Sequence, residues 1–176
     1  EGMYIMEIVN YNYLYNWIVL SSIADPRWWL LFASIFWPWL LWWWVVEKSR
    51  MFEILAFGLF WAAMATWLDL LGTEYGKWSY PIKLNNDIQT LLPADTAVIP
   101  VMYMLLYQYT STWKSFVIGS VISAALLSFI FEPLFLMLDM LDLKEWSHTK
   151  SFFSFLFLAI ATRTLFFFIK KKQATF

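Results

Sequence analysis

Asp69, Asp95, Glu132 and the single histidine, His148, are the side chains whose types could hold a shared proton, a cation or the donors of a polar ligand. Their spacing puts them at one level. Asp69 stands 18 residues beyond Met51, where the second long apolar run begins, so at 1.5 Å per residue it lies about 27 Å along that helix. Glu132 stands 18 residues beyond Lys114 on the fourth run, at the same depth of about 27 Å. Asp95 falls two residues after Pro93, in the first turn of a run expected to travel the opposite way. His148 and Ser151 stand just before and at the start of the fifth run, completing the polar layer.

Ionisable groups inside an apolar phase are costly and mark ligand or proton pathways. Crowded carboxylates cannot all ionise cheaply, which calls for shared protons, a cation or ligand donors between them. Glu74, Trp78 and Tyr80 follow Asp69 closely, and Trp146 precedes His148. Trp78, Tyr80 and Trp146 could therefore cover a pocket whose polar contacts are Asp69, Glu74, Asp95, Glu132 and His148, although anchoring at a membrane interface explains the aromatic residues equally well. For Asp95 alone, complementing a helix dipole is the plainer reading. Candidate counter-charges are Lys77, Lys83 and Lys150. No metal site is expected, since there is no Cys, no spaced His pair and no HExxH pattern. No motif identifies a cofactor, and none assigns catalytic roles.

The elements that must position these groups are membrane helices. A chain of 176 residues that is 61% hydrophobic, with 13 Trp and 17 Phe, has more apolar surface than a soluble fold of its size can hide. Apolar runs at about 28–46, 51–71, 93–110, 115–138 and 151–169 each approach the roughly 20 residues needed to cross a hydrocarbon core. Residues 4–20 are interrupted by Glu7, Asn10, Asn12 and Asn16, which suits an amphipathic helix lying along the interface and excludes a cleavable signal peptide. The expectation is an all-α integral membrane protein: tail and interfacial helix 1–26, a five-helix transmembrane bundle 27–170, and a basic tail 171–176. Asp25-Pro26 supplies a start signal for the first span.

Lys48, Arg50, Lys114 and Lys170-Lys171-Lys172 gather on one face with few acids. The positive-inside rule then makes that face and the C-terminus cytoplasmic, in a cell membrane, with 72–92 outside. The net charge of −1 argues against a nucleic-acid partner. The partners expected are the bilayer and a lipid-like small molecule; oligomeric state is not legible.

Helical spacing aims the acids inward. Ser120, Ala124 and Ser128 recur at four-residue steps toward Glu132, and Gly58, Ala62 and Ala65 or Thr66 lead to Asp69. Pro133 should kink its helix and open space beside Glu132. Trp28, Trp29, Trp42, Trp43 and Trp44 suit interfacial belts, and Trp37 and Trp39 suit lipid contact. Arg163 is read as snorkelling or pairing with Glu53.

The runs LDLLGTEYGKWSYPIKL (68–84), LPADTAVIPVMYMLLYQY (92–109), WKSF (113–116), FEPLF (131–135) and EWSHTKSF (145–152) resemble a family of small multi-pass membrane proteins of spore-forming Firmicutes. That resemblance implies a bacterial source and polar residues at Asp69, Glu74, Asp95, Glu132 and His148, and it brings no established activity. Leu92-Pro93-Ala94-Asp95 is also similar to a helix-starting motif of membrane lycopene cyclase domains. Those carry paired acids, whereas Thr96 follows Asp95 here. The expected function is binding of a small amphipathic or lipid-like ligand in an outer-leaflet pocket. Alternatives are an enzyme acting on lipid or isoprenoid, with Glu132 or Asp95 as acid and His148 as base, a proton-coupled transporter, and an assembly or sensory subunit.

Overall fold

The computed structural model describes residues 24–85 and 87–173. The expected interfacial helix at 4–20 and the last residues of the basic tail lie outside the described residues. Five helices account for most of the rest. Helix α1 is Pro26–Val45, capped by Asp25, whose carboxylate accepts from the Arg27 N–H at 2.8 Å with Pro26 opening the first turn. A short 3-10 turn, Lys48–Arg50, leads into α2, Met51–Glu74. Helix α3 starts with a π-helical segment, Ala94–Val98, and continues as Ile99–Tyr109. Helix α4 runs Trp113–Leu126, widens into a π-helical segment at Leu127–Phe131 and resumes at Glu132–Met137. Helix α5 is His148–Gln173.

Four of these stretches, Pro26–Val45, Lys48–Glu74, Trp113–Met137 and His148–Gln173, are long and apolar enough to cross a membrane. Helix α3 is shorter, and it occupies the middle of the bundle, packed by α1, α2 and α4. Large side chains cover the outside: Phe52 and Trp44 are each 79% exposed and Met137 81%. Soluble monomers rarely show contiguous apolar surface on this scale, so the helices indicate a membrane-embedded protein. In that setting close packing, more than exclusion of water, holds helices together. The packing is visible around α3, where Trp61 stacks on Tyr103 with ring centroids 3.8 Å apart and Phe57 stacks on Tyr107 at 4.3 Å. Gly58 gives room for Met104, and Ser120, Ala124 and Ser128 are fully buried along α4.

Both π-helical segments stand just ahead of a proline, Pro100 and Pro133. Proline lacks the N–H that an α-helix would send back four residues, and a wider turn absorbs the mismatch without breaking the helix. In α3 the carbonyl released by Pro100 is that of Thr96, and Trp39 Nε1 donates to it at 3.2 Å. Trp39 is therefore a packing residue between α1 and α3, whereas Trp37 is 66% exposed.

The loops carry a feature that sequence periodicity missed. Strands β1 (Trp78–Ser79) and β2 (Asp142–Leu143) pair antiparallel, Trp78 opposite Leu143 and Ser79 opposite Asp142. Gly76, at φ +64°, makes the left-handed turn that ends α2 and swings Trp78 back over it. This ties the α2–α3 connection to the α4–α5 connection across one end of the bundle.

Candidate functional site

Beneath that sheet lies a cavity of about 490 Å³. This is within the range of about 300–1,000 Å³ found for small-molecule sites. Its polar lining includes Asp69, Asp95 and Glu132, delivered by α2, α3 and α4. Asp69 ends the buried face of α2, which runs Ile54, Phe57, Gly58, Trp61, Ala65, Asp69 and Gly72. Asp95 sits in the π-helical segment of α3, and Glu132 follows the one in α4.

The Asp69 carboxylate is fully engaged. Its Oδ1 accepts from Trp78 Nε1 and from the Tyr80 hydroxyl, each at 2.6 Å, and its Oδ2 accepts from the Leu91 N–H at 2.8 Å. One buried acid thus fastens the loop at three points. Burial, with the Asp69 charge beside it, pushes the Tyr80 phenol well up, so it stays a donor at neutral pH. The Trp78 ring lies against Gly72, where any Cβ would overlap it, and meets Trp146 edge-on at 5.0 Å. Trp146 Nε1 donates to Ser151 Oγ at 2.9 Å.

Asp95 differs. It is 5% exposed, and its carboxyl stands within side-chain hydrogen-bonding contact of the Asp69 carboxyl, an arrangement that calls for a shared proton. No donor among the described residues reaches its Oδ2. A buried polar atom without a partner costs about 1–3 kcal/mol, and one lining a cavity is where a ligand or water completes the site.

Glu132 Oε2 is 2.7 Å from His148 Nδ1. A carboxylate on Nδ1 fixes the ring's orientation and directs Nε2 elsewhere. His148 does not itself line the cavity; it joins the site through Glu132. Trp78 and Tyr80 line it, as expected. Glu74 is exposed at the end of α2 and does not line this cavity, because it stands five residues past Asp69, roughly 140° around the helix. Lys77 lines the cavity rim, but its Nζ is 2.7 Å from Glu145, and Lys150 Nζ bonds the Glu145 carbonyl and lies over the Trp146 ring. Among the described residues no three His, Cys, Asp or Glu side chains converge to hold a metal ion.

At the opposite end the expected Arg163–Glu53 pair does not form. Glu53 receives the Tyr107 hydroxyl, Arg50 and Lys170, whereas Arg163 bonds Thr110 and covers the faces of Phe116 and Trp113. At that end Glu53 is paired with two cations, and the Arg163 charge rests on Thr110 and aromatic faces.

The class defined by fold and site is a mainly helical protein with membrane-length helices and a mainly apolar cavity that carries three acidic residues. No protein-family model, curated protein or solved structure matches the chain.

Proposed function

We propose that this chain is a multi-pass protein of the cell membrane that binds a small amphipathic or lipid-like ligand in the half of the bilayer facing away from the cytoplasm. In this reading α3 is a fifth, protein-wrapped span, residues 4–20 lie along the interface, and the lysine-rich C-terminus faces the cytoplasm. The observation that carries the reading is the cavity itself: mainly apolar walls surround the Asp95 carboxyl, whose Oδ2 receives no donor among the described residues.

An approach from the bilayer suits the geometry. The ring contacts between α2 and α5 are at the cytoplasmic end, Phe57 and Phe60 on Phe166. Nearer the sheet the cavity is lined by Leu68 and Leu71 from α2 and by Ser154, Phe155 and Leu158 from α5. Leu68 is 38% exposed and Ser154 is exposed, so this seam offers a lateral way in.

The Glu132–His148 pair favours a second reading, an enzyme acting on a lipid or isoprenoid, in which His148 exchanges a proton with the bound molecule. Native mass spectrometry of the protein in mild detergent tests the first reading. A retained species of defined mass, in near-stoichiometric amount, is the expected result. Protein that carries only a random spread of bulk phospholipids would overturn it.

A further inference from the structure

The polar atoms around the cavity also specify the ligand's polar end. Building on the ligand-pocket reading, we infer that the group seated at Asp95 is a hydrogen-bond donor, a hydroxyl or an ammonium, carried on an apolar chain without phosphate or carboxylate.

The reason is an inventory of what remains to be satisfied. The donors near Asp69 are consumed: Trp78 Nε1, the Tyr80 hydroxyl and the Leu91 N–H all point at that carboxylate. Trp146 Nε1 is consumed by Ser151 and the Ser34 hydroxyl by the Leu30 carbonyl, the Lys77 charge is paired with Glu145, and the remaining lining hydroxyls, of Tyr75 and Ser154, belong to exposed residues. The one indole donor of the lining without a partner, Trp61 Nε1, belongs to a residue eight positions before Asp69, about 12 Å deeper along α2. What the site presents at the acid level is therefore the Asp95 carboxyl, in contact with that of Asp69 and near Glu132, with no unpaired cation among the cavity-lining residues.

An anionic headgroup would find no unpaired cation there and would meet carboxylates directly. Like charges brought together away from water are strongly unfavourable. A hydroxyl or ammonium supplies the missing donor and, for the ammonium, offsets the charge as well. The rest of the lining, Leu31, Ile99, Leu127, Phe155 and Leu158 among it, accepts an apolar chain.

Chain-matched probes test this: dodecanol, dodecylamine and dodecyl phosphate, titrated into the purified protein and followed by native mass spectrometry and by the shift in thermal unfolding. The wild type should bind the alcohol or the amine about tenfold or more tighter than the phosphate, the size expected of one charge-assisted hydrogen bond. Asp95→Leu should abolish that preference, and Asp95→Asn should weaken the amine more than the alcohol, since the amide keeps an acceptor but cannot ionise against the ammonium. Thermal unfolding identifies any variant that does not fold, and Asp95→Asn carries the test if Asp95→Leu is lost. Dodecyl phosphate binding as tightly as the other two, or a donor preference unchanged in both Asp95 variants, would overturn the inference while leaving the pocket standing. Failure of all three probes to bind would overturn the pocket reading itself.

Discussion

The strongest mechanical claim concerns Asp69, because one side chain holds the covering loop at Trp78, Tyr80 and Leu91. Replacing it with Ala removes three acceptor contacts at once. Hydrogen bonds to a charged group contribute about 1.5–3 kcal/mol each, but the loss is smaller where water can take over. Trp78 is half-buried and its indole can regain water, whereas the Tyr80 hydroxyl and the Leu91 N–H are buried. The expected total for Asp69→Ala is thus about 3–5 kcal/mol, well short of the simple sum. Asp69→Asn keeps one oxygen for Trp78 and Tyr80 and loses only the Leu91 contact, so it should cost about 1–3 kcal/mol. Reversible unfolding in detergent measures both. A cycle with Trp78→Phe isolates the indole contact, because Asp69→Ala should cost less in that background. If Asp69→Ala costs under about 1 kcal/mol, or Asp69→Asn costs as much as Ala, Asp69 is not the fastening point.

Three further outcomes follow from neighbouring contacts. Gly72→Ala places a methyl inside the rigid Trp78 ring and should cost about 1–3 kcal/mol, whereas Gly58→Ala meets only the flexible Met104 side chain and should cost less; thermal unfolding of the pair gives the order. Glu132→Gln should lose less stability than Glu132→Leu, because the amide oxygen still accepts from His148 Nδ1 and leucine leaves that nitrogen unpaired; equal losses in detergent unfolding would mean that the pair contributes nothing. The Lys77 ammonium holds the Glu145 carboxyl below its ordinary value of 4.5, so the clamp's stabilisation is present above that value and fades as pH falls through the lowered one. Hydrogen-exchange protection of residues 77–79, taken relative to the intrinsic rate at each pH, should fall there in the wild type and show no such step in Glu145→Gln.

The acids were legible because helix geometry is regular: equal distances along two apolar runs set Asp69 and Glu132 at one depth, and the stripe Ser120, Ala124, Ser128 fixed the inward face of α4. The α2 face was read less well. Ala62 is only half-buried, and Trp61 and Ala65 carry the contact that leads to Asp69. The two-residue strands have no periodicity to read, so the sheet that aims Trp78 was invisible, and with it the reason Lys77 is committed to Glu145. Trp39 was assigned to lipid because its partner, the carbonyl freed by Pro100, exists only once α1 and α3 are packed.

Photo-crosslinking in intact membranes tests the central claim most directly. A photoreactive phenylalanine analogue at Phe155, inside the cavity, is compared with the same group at Phe52, which is 79% exposed on the outer surface. The account predicts one discrete adduct of constant mass at Phe155, diminished in Asp95→Asn, and a broad mixture of bulk lipids at Phe52. Identical mixtures at both positions would show that no particular molecule occupies the cavity and would contradict it.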